Sequence, residues 1–167
     1  MRRIITPHVQ RDLKQKMVFI VGPRQVGKTW LAKEIARDYP GALYLNYDDA
    51  KHRNVIHDEA WIQNTPLLIF DEIHKMKGWK NYLKGVFDTK KDATHILVTG
   101  SARLDAHRRM GDSLAGRYFT HHLMPFTLAE LEGTEYGGDL ARVLERGGFP
   151  EPLLAGQISD ALRWRNL

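Results

Sequence analysis

A glycine-rich segment followed by lysine and threonine has the clearest chemistry in this chain of 167 residues. Residues 22–29 read Gly-Pro-Arg-Gln-Val-Gly-Lys-Thr and match the pattern G-x-x-x-x-G-K-[ST] in full. Glycine allows the backbone conformations that turn successive N–H groups toward one anion, and a helix that starts near Lys28 would add its positive end. Lys28 would then span the β- and γ-phosphates of a nucleotide, and the Thr29 hydroxyl would bind Mg²⁺. The segment therefore predicts a phosphate-binding loop.

The context of this segment strengthens the prediction. The apolar run 17–21 precedes it, and a helical pattern follows it, which is the strand–loop–helix order that the motif requires. A chance match would occur in roughly one chain of this size in a hundred. Trp30 directly follows the motif, so we include it among the candidate contacts, although a tryptophan is more often an anchor in the core or at an interface. We expect nucleotide contacts from Gly22, Pro23, Arg24, Gln25, Val26, Gly27, Lys28, Thr29 and Trp30.

Two acidic residues, Asp71 and Glu72, follow the apolar run 67–70. Ligands of parallel sheets bind at the carboxyl ends of the strands, which is the edge that also presents the phosphate loop. There Asp71 would hold Mg²⁺ directly or through water, and Glu72 would polarise the attacking water as a general base. An acidic pair after a strand is by itself more often a solvated turn. The two motifs together predict hydrolysis of a bound nucleotide.

Thr99 and Ser101 end the apolar run 96–98 and are further candidates for the reaction. If this strand lies between the strands that lead to Lys28 and Asp71, a hydroxyl here would touch the γ-phosphate or the attacking water. An ordinary turn is an equally good interpretation.

Arg117 follows a glycine and precedes another predicted strand. A guanidinium in this position would stabilise the transition-state charge on a phosphate, as an arginine finger does. A surface arginine fits the sequence equally well, and Arg103, Arg108 and Arg109 are alternatives for the same role.

Short apolar runs alternate with helical patterns along the chain, which is typical of a parallel sheet with crossover helices. Runs that are apolar on both faces suit strands that lie between two helix layers. The sequence thus predicts an α/β fold with a parallel central sheet of about five strands and helices on both faces. Strands are predicted at residues 17–21, 42–47, 66–70, 95–99 and 118–124, and helices at about 28–38, 55–63, 79–87 and 104–110.

The alternation of apolar runs and helical patterns ends at Pro125, and the composition changes after it. Residues 126–160 contain seven acidic residues against two basic ones, and two glycine pairs interrupt short helical stretches. We expect residues 1–126 to form the nucleotide-binding core. Residues 127–167 are expected to begin a helical lid or C-terminal region that is truncated here.

Composition and charge exclude several classes of protein. The absence of cysteine excludes a disulfide scaffold, a zinc ribbon, an iron–sulfur site and a thiol nucleophile. No apolar run approaches about 18 residues and the N-terminus lacks a secretory pattern, so we expect a cytoplasmic protein without membrane contact. The net charge of +5 originates in residues 1–40, where nine Lys and Arg face three acidic residues. This basic N-terminal third is a candidate surface for nucleic acid, although Arg24 and Lys28 would face phosphate in the loop.

With these residues in place, the chain resembles the P-loop ATPases of the AAA+ type. It is similar in particular to a group of predicted archaeal and bacterial ATPases, in which an N-terminal ATPase domain precedes a C-terminal region of poorly understood function. The similarity extends over residues 17–152, although most of that C-terminal region is missing. The segments concerned are 22–29, 68–75, 98–102, 113–118, 125–132 and 147–151.

The resemblance implies a P-loop NTPase core that binds ATP with Mg²⁺. The implied roles are Walker A for Lys28 and Thr29, Walker B for Asp71 and Glu72, and a sensor for Thr99 or Ser101. It further implies that Arg117 is the finger and acts on a neighbouring subunit's nucleotide, in a homo-oligomer of the full-length protein.

We therefore expect an ATPase that couples Mg²⁺-dependent ATP hydrolysis to conformational change, with weak activity in a chain of this length. Two alternatives stay open: a nucleotide-gated DNA-binding or regulatory switch with little turnover, and a P-loop kinase for a small acceptor. Glu72 beside Asp71 favours water as the acceptor. Residues 6–8 or the residues after Pro125 would frame the adenine base.

Overall fold

The computed structural model describes residues 3–62, 64–101 and 113–165 of the chain. Its five strands are β1 (Met17–Gly22), β2 (Leu43–Asn46), β3 (Leu67–Asp71), β4 (His95–Ser101) and β5 (Tyr118–His122). They form one parallel sheet in the order β2-β3-β4-β1-β5. Each strand coincides with a predicted run to within a few residues. The predicted α/β fold with a parallel central sheet is thus confirmed.

Two hydrophobic cores cover the two faces of the sheet. Helices α1 (Thr6–Leu13) and α2 (Lys28–Ala36) pack on one face, and α3 (Ala50–His57) and α4 (Trp79–Thr89) pack on the other. In the central strand β1, Met17, Phe19 and Val21 point toward α3 and α4, while Val18 and Ile20 point toward α1 and α2. Side chains alternate between the faces of a strand, so an apolar run throughout is needed where both faces are covered.

Two helices differ from the sequence prediction. Helix α1 was not expected, and Pro7 lies in its first turn, where a missing N–H costs no hydrogen bond. Helix α3 was predicted from Val55 onward but begins at Ala50, because the side chain of Asp49 caps it. Helix α3 also ends at His57, so the prediction of helix through residue 62 was wrong, and position 63 lies outside the described residues. The helix predicted at residues 104–110 lies outside them as well.

The segment after Pro125 contains four short helices, α5 (Leu128–Leu131), α6 (Leu140–Arg146), α7 (Pro150–Leu154) and α8 (Ile158–Arg165). The first three share a small core of their own, in which Phe126, Leu131 and Leu153 are buried. The division of the chain at residue 126 stays a prediction. No helix in the described ranges is long and apolar enough to cross a membrane.

The carboxyl ends of β1, β3 and β4 meet at one edge of the sheet, which we call the sheet rim. Strand β4 lies between β1 and β3, so the condition set for Thr99 and Ser101 is met. In register, Gly22 lies beside Ser101, and Asp71 lies beside Thr99. The topology thereby brings together the ends of three segments that are far apart in the sequence.

Candidate phosphate-binding site

Two glycines shape the loop that joins β1 to α2. A Cβ atom on Gly22 would lie 2.2 Å from the carbonyl oxygen of Leu123, so a larger residue does not fit. Gly27 has a φ of 95° immediately before α2, a left-handed conformation that other residues disfavour. Because of this tight turn, the N-terminus of α2 faces the sheet rim. Such a helix end, with its free N–H groups and positive dipole, suits an anion.

Lys28 is the first residue of α2, and its side chain folds back over the loop. Its Nζ donates hydrogen bonds to the carbonyl oxygens of Gly22 at 3.0 Å and Pro23 at 2.5 Å. Burial lowers the pKa of Lys28, while the nearby carboxylates of Glu72 and Asp71 oppose this shift. The ammonium group is thus held inside the loop and close to acidic residues of the sheet rim.

Asp71 is the last residue of β3 and is 4% exposed, so its carboxylate needs hydrogen-bond donors. Three hydroxyl groups supply them. Thr29 donates to Oδ2 at 2.8 Å, and Thr99 donates to Oδ1 at 2.6 Å. Tyr44 also donates to Oδ2, at 2.6 Å. The predicted meeting of the loop and β3 on one rim is therefore observed as a direct contact.

Glu72 follows Asp71 and leaves the strand with a left-handed backbone, at a φ of 57°. Its N–H donates to the carbonyl oxygen of Thr99 at 3.0 Å, which fixes this turn to β4. Its side chain is 25% exposed, so water can reach the carboxylate, and the Lys75 ammonium lies 3.6 Å from it. The carboxylate lies next to the buried acid but is held by fewer groups.

Thr99 and Ser101 occupy different places on the rim. The hydroxyl of Thr99 is fully buried and bound to Asp71. Ser101 is half-buried and lies beside Gly22, the first residue of the loop. In register, Ser101 is thus nearer than Thr99 to the first residue of the loop.

Arg117 lies at the opposite end of the sheet. Its carbonyl oxygen accepts a hydrogen bond from the N–H of Met17 at the start of β1, whereas the loop follows the end of β1. Five residue steps along a strand separate these positions by about 17 Å. The guanidinium pairs with Asp88 at 2.8 Å and 3.2 Å. Arg117 is therefore remote from the loop of its own chain, and Arg103, Arg108 and Arg109 lie outside the described residues.

A cavity of about 280 Å³ adjoins the loop at Val26 and Gly27. Its walls are mostly apolar, and Trp30, which is 46% exposed, is one of them. The cavity involves residues after Pro125, one of the two regions expected to frame a base, rather than residues 6–8. It is lined by Arg3, Val26, Gly27, Trp30, Phe126, Pro150 and Leu154.

Arg3 ties this cavity to the loop and to the C-terminal helices. Its guanidinium donates to the carbonyl oxygen of Val26 at 3.2 Å and to that of Met124. It also pairs with Glu130 at 2.9 Å and lies 4.3 Å from the ring centre of Phe126. Both charged side chains are almost fully buried, at 3% and 5% exposure. Arg3 is therefore an internal residue, although the sequence placed it in a basic surface region.

Sequence reasoning missed two residues of this site, Tyr44 and Arg3. Tyr44 occurs in a run that reads as an ordinary strand, in which a tyrosine usually packs. Arg3 was counted only as charge. The structure has a capping box between Thr127 and Glu130, a pattern that the sequence analysis did not use. The pattern contains nothing that indicates the second contact of Glu130, with Arg3.

Comparisons with known proteins bear on the family and the fold of this chain. A family model described as "AAA domain" matches residues 14–132. The structure of the Orc1 protein of Aeropyrum pernix in complex with DNA is similar to this chain, with a TM-score of 0.52 and 11% identity. The match covers 74% of this chain and 47% of the Orc1 chain, so this chain corresponds to about half of that protein. At this identity the likeness shows the fold alone. No curated protein matches the chain.

Proposed function

Because this chain belongs to the AAA domain family of P-loop ATPases, we propose that it binds ATP with Mg²⁺ and hydrolyses it to drive conformational change. The hydrogen bond from Thr29 to Asp71, 2.8 Å long, is the main observation behind this proposal. It joins the end of the phosphate loop to the acid of β3, which is the arrangement that nucleotide hydrolysis with a metal ion requires.

The phosphates of ATP would lie in the loop between β1 and α2. The N-terminus of α2 faces this loop, and the Lys28 ammonium is already held there by two carbonyl oxygens. These hydrogen bonds are exchangeable for phosphate oxygens, which are stronger partners for a cation because they carry charge. Lys28 would therefore bind the β- and γ-phosphates.

The residues at the rim fit a magnesium ion. Mg²⁺ prefers oxygen ligands, and the Thr29 hydroxyl and the Asp71 carboxylate supply such atoms side by side. Bound Mg²⁺ would neutralise charge on the β- and γ-phosphates. Thr29 would be a direct ligand, and Asp71 would hold the ion directly or through water.

Glu72 is the proposed general base. Its carboxylate adjoins Asp71 but is accessible to solvent, so it can accept a proton from a water that attacks the γ-phosphate. Ser101, beside the start of the loop, is the proposed sensor of the γ-phosphate. Thr99 would act through Asp71, since its hydroxyl is bound there.

The base of ATP would occupy the cavity beside Gly27. Its size and apolar walls suit a flat heteroaromatic ring, and the indole of Trp30 offers a stacking surface. Phe126 and Leu154 in its walls belong to the segment after Pro125, so nucleotide binding would contact the C-terminal helices.

Arg117 is proposed to act on the nucleotide of a neighbouring chain in a homo-oligomer. Arg117 is too far from the loop of its own chain to act there, so a catalytic role requires the nucleotide of another chain. Its guanidinium is 31% exposed and lies on the surface, where a neighbouring chain can reach it. An arginine supplied by a partner makes hydrolysis depend on assembly.

Nucleic acid is a second proposed partner, through the basic N-terminal third of the chain. Arg3 and Lys28 have internal contacts, whereas Lys14, Arg24 and Arg37 are exposed. Binding of labelled DNA at increasing salt tests this, because contacts to phosphate weaken steeply with salt. Undetectable binding at about 50 mM salt would contradict it.

Phosphate release by the wild type and by Glu72→Gln tests the proposed reaction. We expect Mg²⁺-dependent release by the wild type, and a loss of about 100-fold or more in the variant with ATP binding retained. A wild type that binds ATP but releases no phosphate at any protein concentration, with or without DNA, would instead indicate a switch. Release that requires an added phosphate acceptor would indicate a kinase.

A further inference from the structure

We propose that Tyr44 is a positioning residue that orients the carboxylate of Asp71 for metal binding, a role that rests on the proposed function. The observation behind it is the short hydrogen bond, 2.6 Å, from the Tyr44 hydroxyl to Asp71 Oδ2. Tyr44 lies on β2, the edge strand beside β3, and is in register with Ile69. It thus reaches Asp71 from a strand that contributes nothing else of the predicted site.

The three hydroxyl groups that donate hydrogen bonds to Asp71 have different roles. An ionised carboxylate offers about four acceptor positions, two on each oxygen. Thr29 and Tyr44 fill those on Oδ2, and Thr99 fills one on Oδ1. Thr29 is also the proposed metal ligand, so its hydroxyl serves two partners. Tyr44 and Thr99 are not proposed metal ligands, and they donate to different oxygens of Asp71, so together they fix the plane of the carboxylate.

The ring of Tyr44 is held in place independently of its hydroxyl. The Lys33 ammonium lies 4.9 Å from the ring centre, and the ring of His52 meets it edge-on at 6.4 Å. A tyrosine hydroxyl is protonated at neutral pH and can therefore donate to the carboxylate. Phenylalanine would keep these ring contacts and remove the hydroxyl, with its hydrogen bond to Asp71.

The chain offers a matched control in Tyr82. Its hydroxyl donates to the carbonyl oxygen of Ile56 at 2.8 Å, and its ring packs on Phe70. Both tyrosines are partly buried, and the hydroxyl of each donates a hydrogen bond, one to a carboxylate and the other to a backbone carbonyl. Tyr82→Phe therefore removes a tyrosine hydroxyl without removing a donor from Asp71.

The experiment measures binding of Mn²⁺, as a probe for Mg²⁺, to the ADP complex by the loss of the free Mn²⁺ resonance signal. We expect Tyr44→Phe to weaken Mn²⁺ binding about 3- to 10-fold, because a hydrogen bond to a charged group is lost. ADP affinity without metal should stay within about twofold of the wild type, and Tyr82→Phe should leave both quantities unchanged.

A double substitution separates positioning from general destabilisation. If Tyr44 acts through the Asp71 carboxylate, then adding Tyr44→Phe to Asp71→Asn should not weaken Mn²⁺ binding further. Unchanged or tighter Mn²⁺ binding by Tyr44→Phe, or additive effects in the double variant, would overturn the role of Tyr44 alone. Failure of the wild type to bind ADP or Mn²⁺ would overturn the proposed function as well.

Discussion

The hydroxyl of Thr29 donates a hydrogen bond to Asp71 at 2.8 Å, which joins two residues that are 42 positions apart in the chain. The contact exists because β3 and β1 are parallel strands with only β4 between them. It is the structural basis for treating the loop and the acidic pair as one site.

Lys28→Ala should weaken ATP binding by about tenfold or more, because it removes the ammonium group that would bind the β- and γ-phosphates. Calorimetric titration with ATP measures this. Lys84→Ala, which removes an exposed lysine on α4, is the matched control and should bind as the wild type does. Equal affinities for the two variants would count against the assignment of the loop.

Gly22→Ala should lower the free energy of unfolding by at least about 2 kcal/mol, because the new Cβ would collide with the carbonyl oxygen of Leu123. Urea unfolding followed by circular dichroism measures the loss. Gly85→Ala makes the same change inside α4, where the added atom meets nothing, and should be neutral or stabilise by up to about 1 kcal/mol. A fully stable Gly22→Ala protein would show that the loop and β5 are less closely packed.

Trp30→Ala should weaken binding of ATP about tenfold, since a base loses its stacking surface. Inorganic triphosphate lacks the base, so its affinity should be the same for the variant and the wild type. Competition of both ligands against a fluorescent nucleotide gives the two numbers. An equal loss of affinity for triphosphate would show that Trp30 maintains the conformation of the loop rather than contacting the base.

Glu130 should make the free energy of unfolding decrease at acidic pH. Burial alone would raise the pKa of Glu130, but hydrogen bonds from the N–H of Ile4, from Arg3 and from the N–H of Thr127 lower it overall. Because the folded pKa lies below the unfolded one, this stability is present above about pH 5 and is lost as pH falls through the folded value.

Glu130→Gln tests this by removing the titrating group. The free energy of unfolding, measured by urea titration between about pH 5 and pH 3, should fall less steeply in the variant than in the wild type. Glu132→Gln, at an exposed position nearby, should retain the wild-type slope. Identical slopes for all three proteins would show that Glu130 has its ordinary pKa in the folded state.

Arg117→Ala should reduce turnover of the assembled protein by about 100-fold or more and change ATP affinity less than twofold. A mixture with Glu72→Gln tests action between chains. Mixed assemblies contain sites with an intact Glu72 from one chain and an intact Arg117 from its neighbour, so activity should return on mixing. Continued inactivity, or full activity of Arg117→Ala by itself, would remove Arg117 from the site.

Much of this site is predictable because its determinants are local. The motif around Lys28 defines its own loop, and an apolar run that ends in Asp71 and Glu72 must end at the same edge, since all strands are parallel. The same rule applies to Arg117. It precedes β5 rather than following it, so the sequence already contained the information that it lies at the far end of the sheet.

The contributions of Tyr44 and Arg3 depend on the tertiary arrangement instead. Tyr44 reaches Asp71 only because β2 lies beside β3 in one particular register. Arg3 meets partners that are 23, 121 and 127 positions away, and no periodicity or spacing encodes such contacts. Likewise, α3 begins where the Asp49 cap sets it, earlier than its apolar pattern suggested.

The ion pair between Arg3 and Glu130 also constrains the order in which the protein can fold during translation. Glu130 is added to the growing chain 127 residues after Arg3. At about 5–20 residues per second, this interval lasts roughly 6–25 seconds. During this interval Arg3 has no ion pair with Glu130, so the guanidinium that binds the carbonyl oxygen of Val26 in the folded domain is not yet held in place. A nascent chain can thus form its central strands well before its phosphate loop has gained its last support.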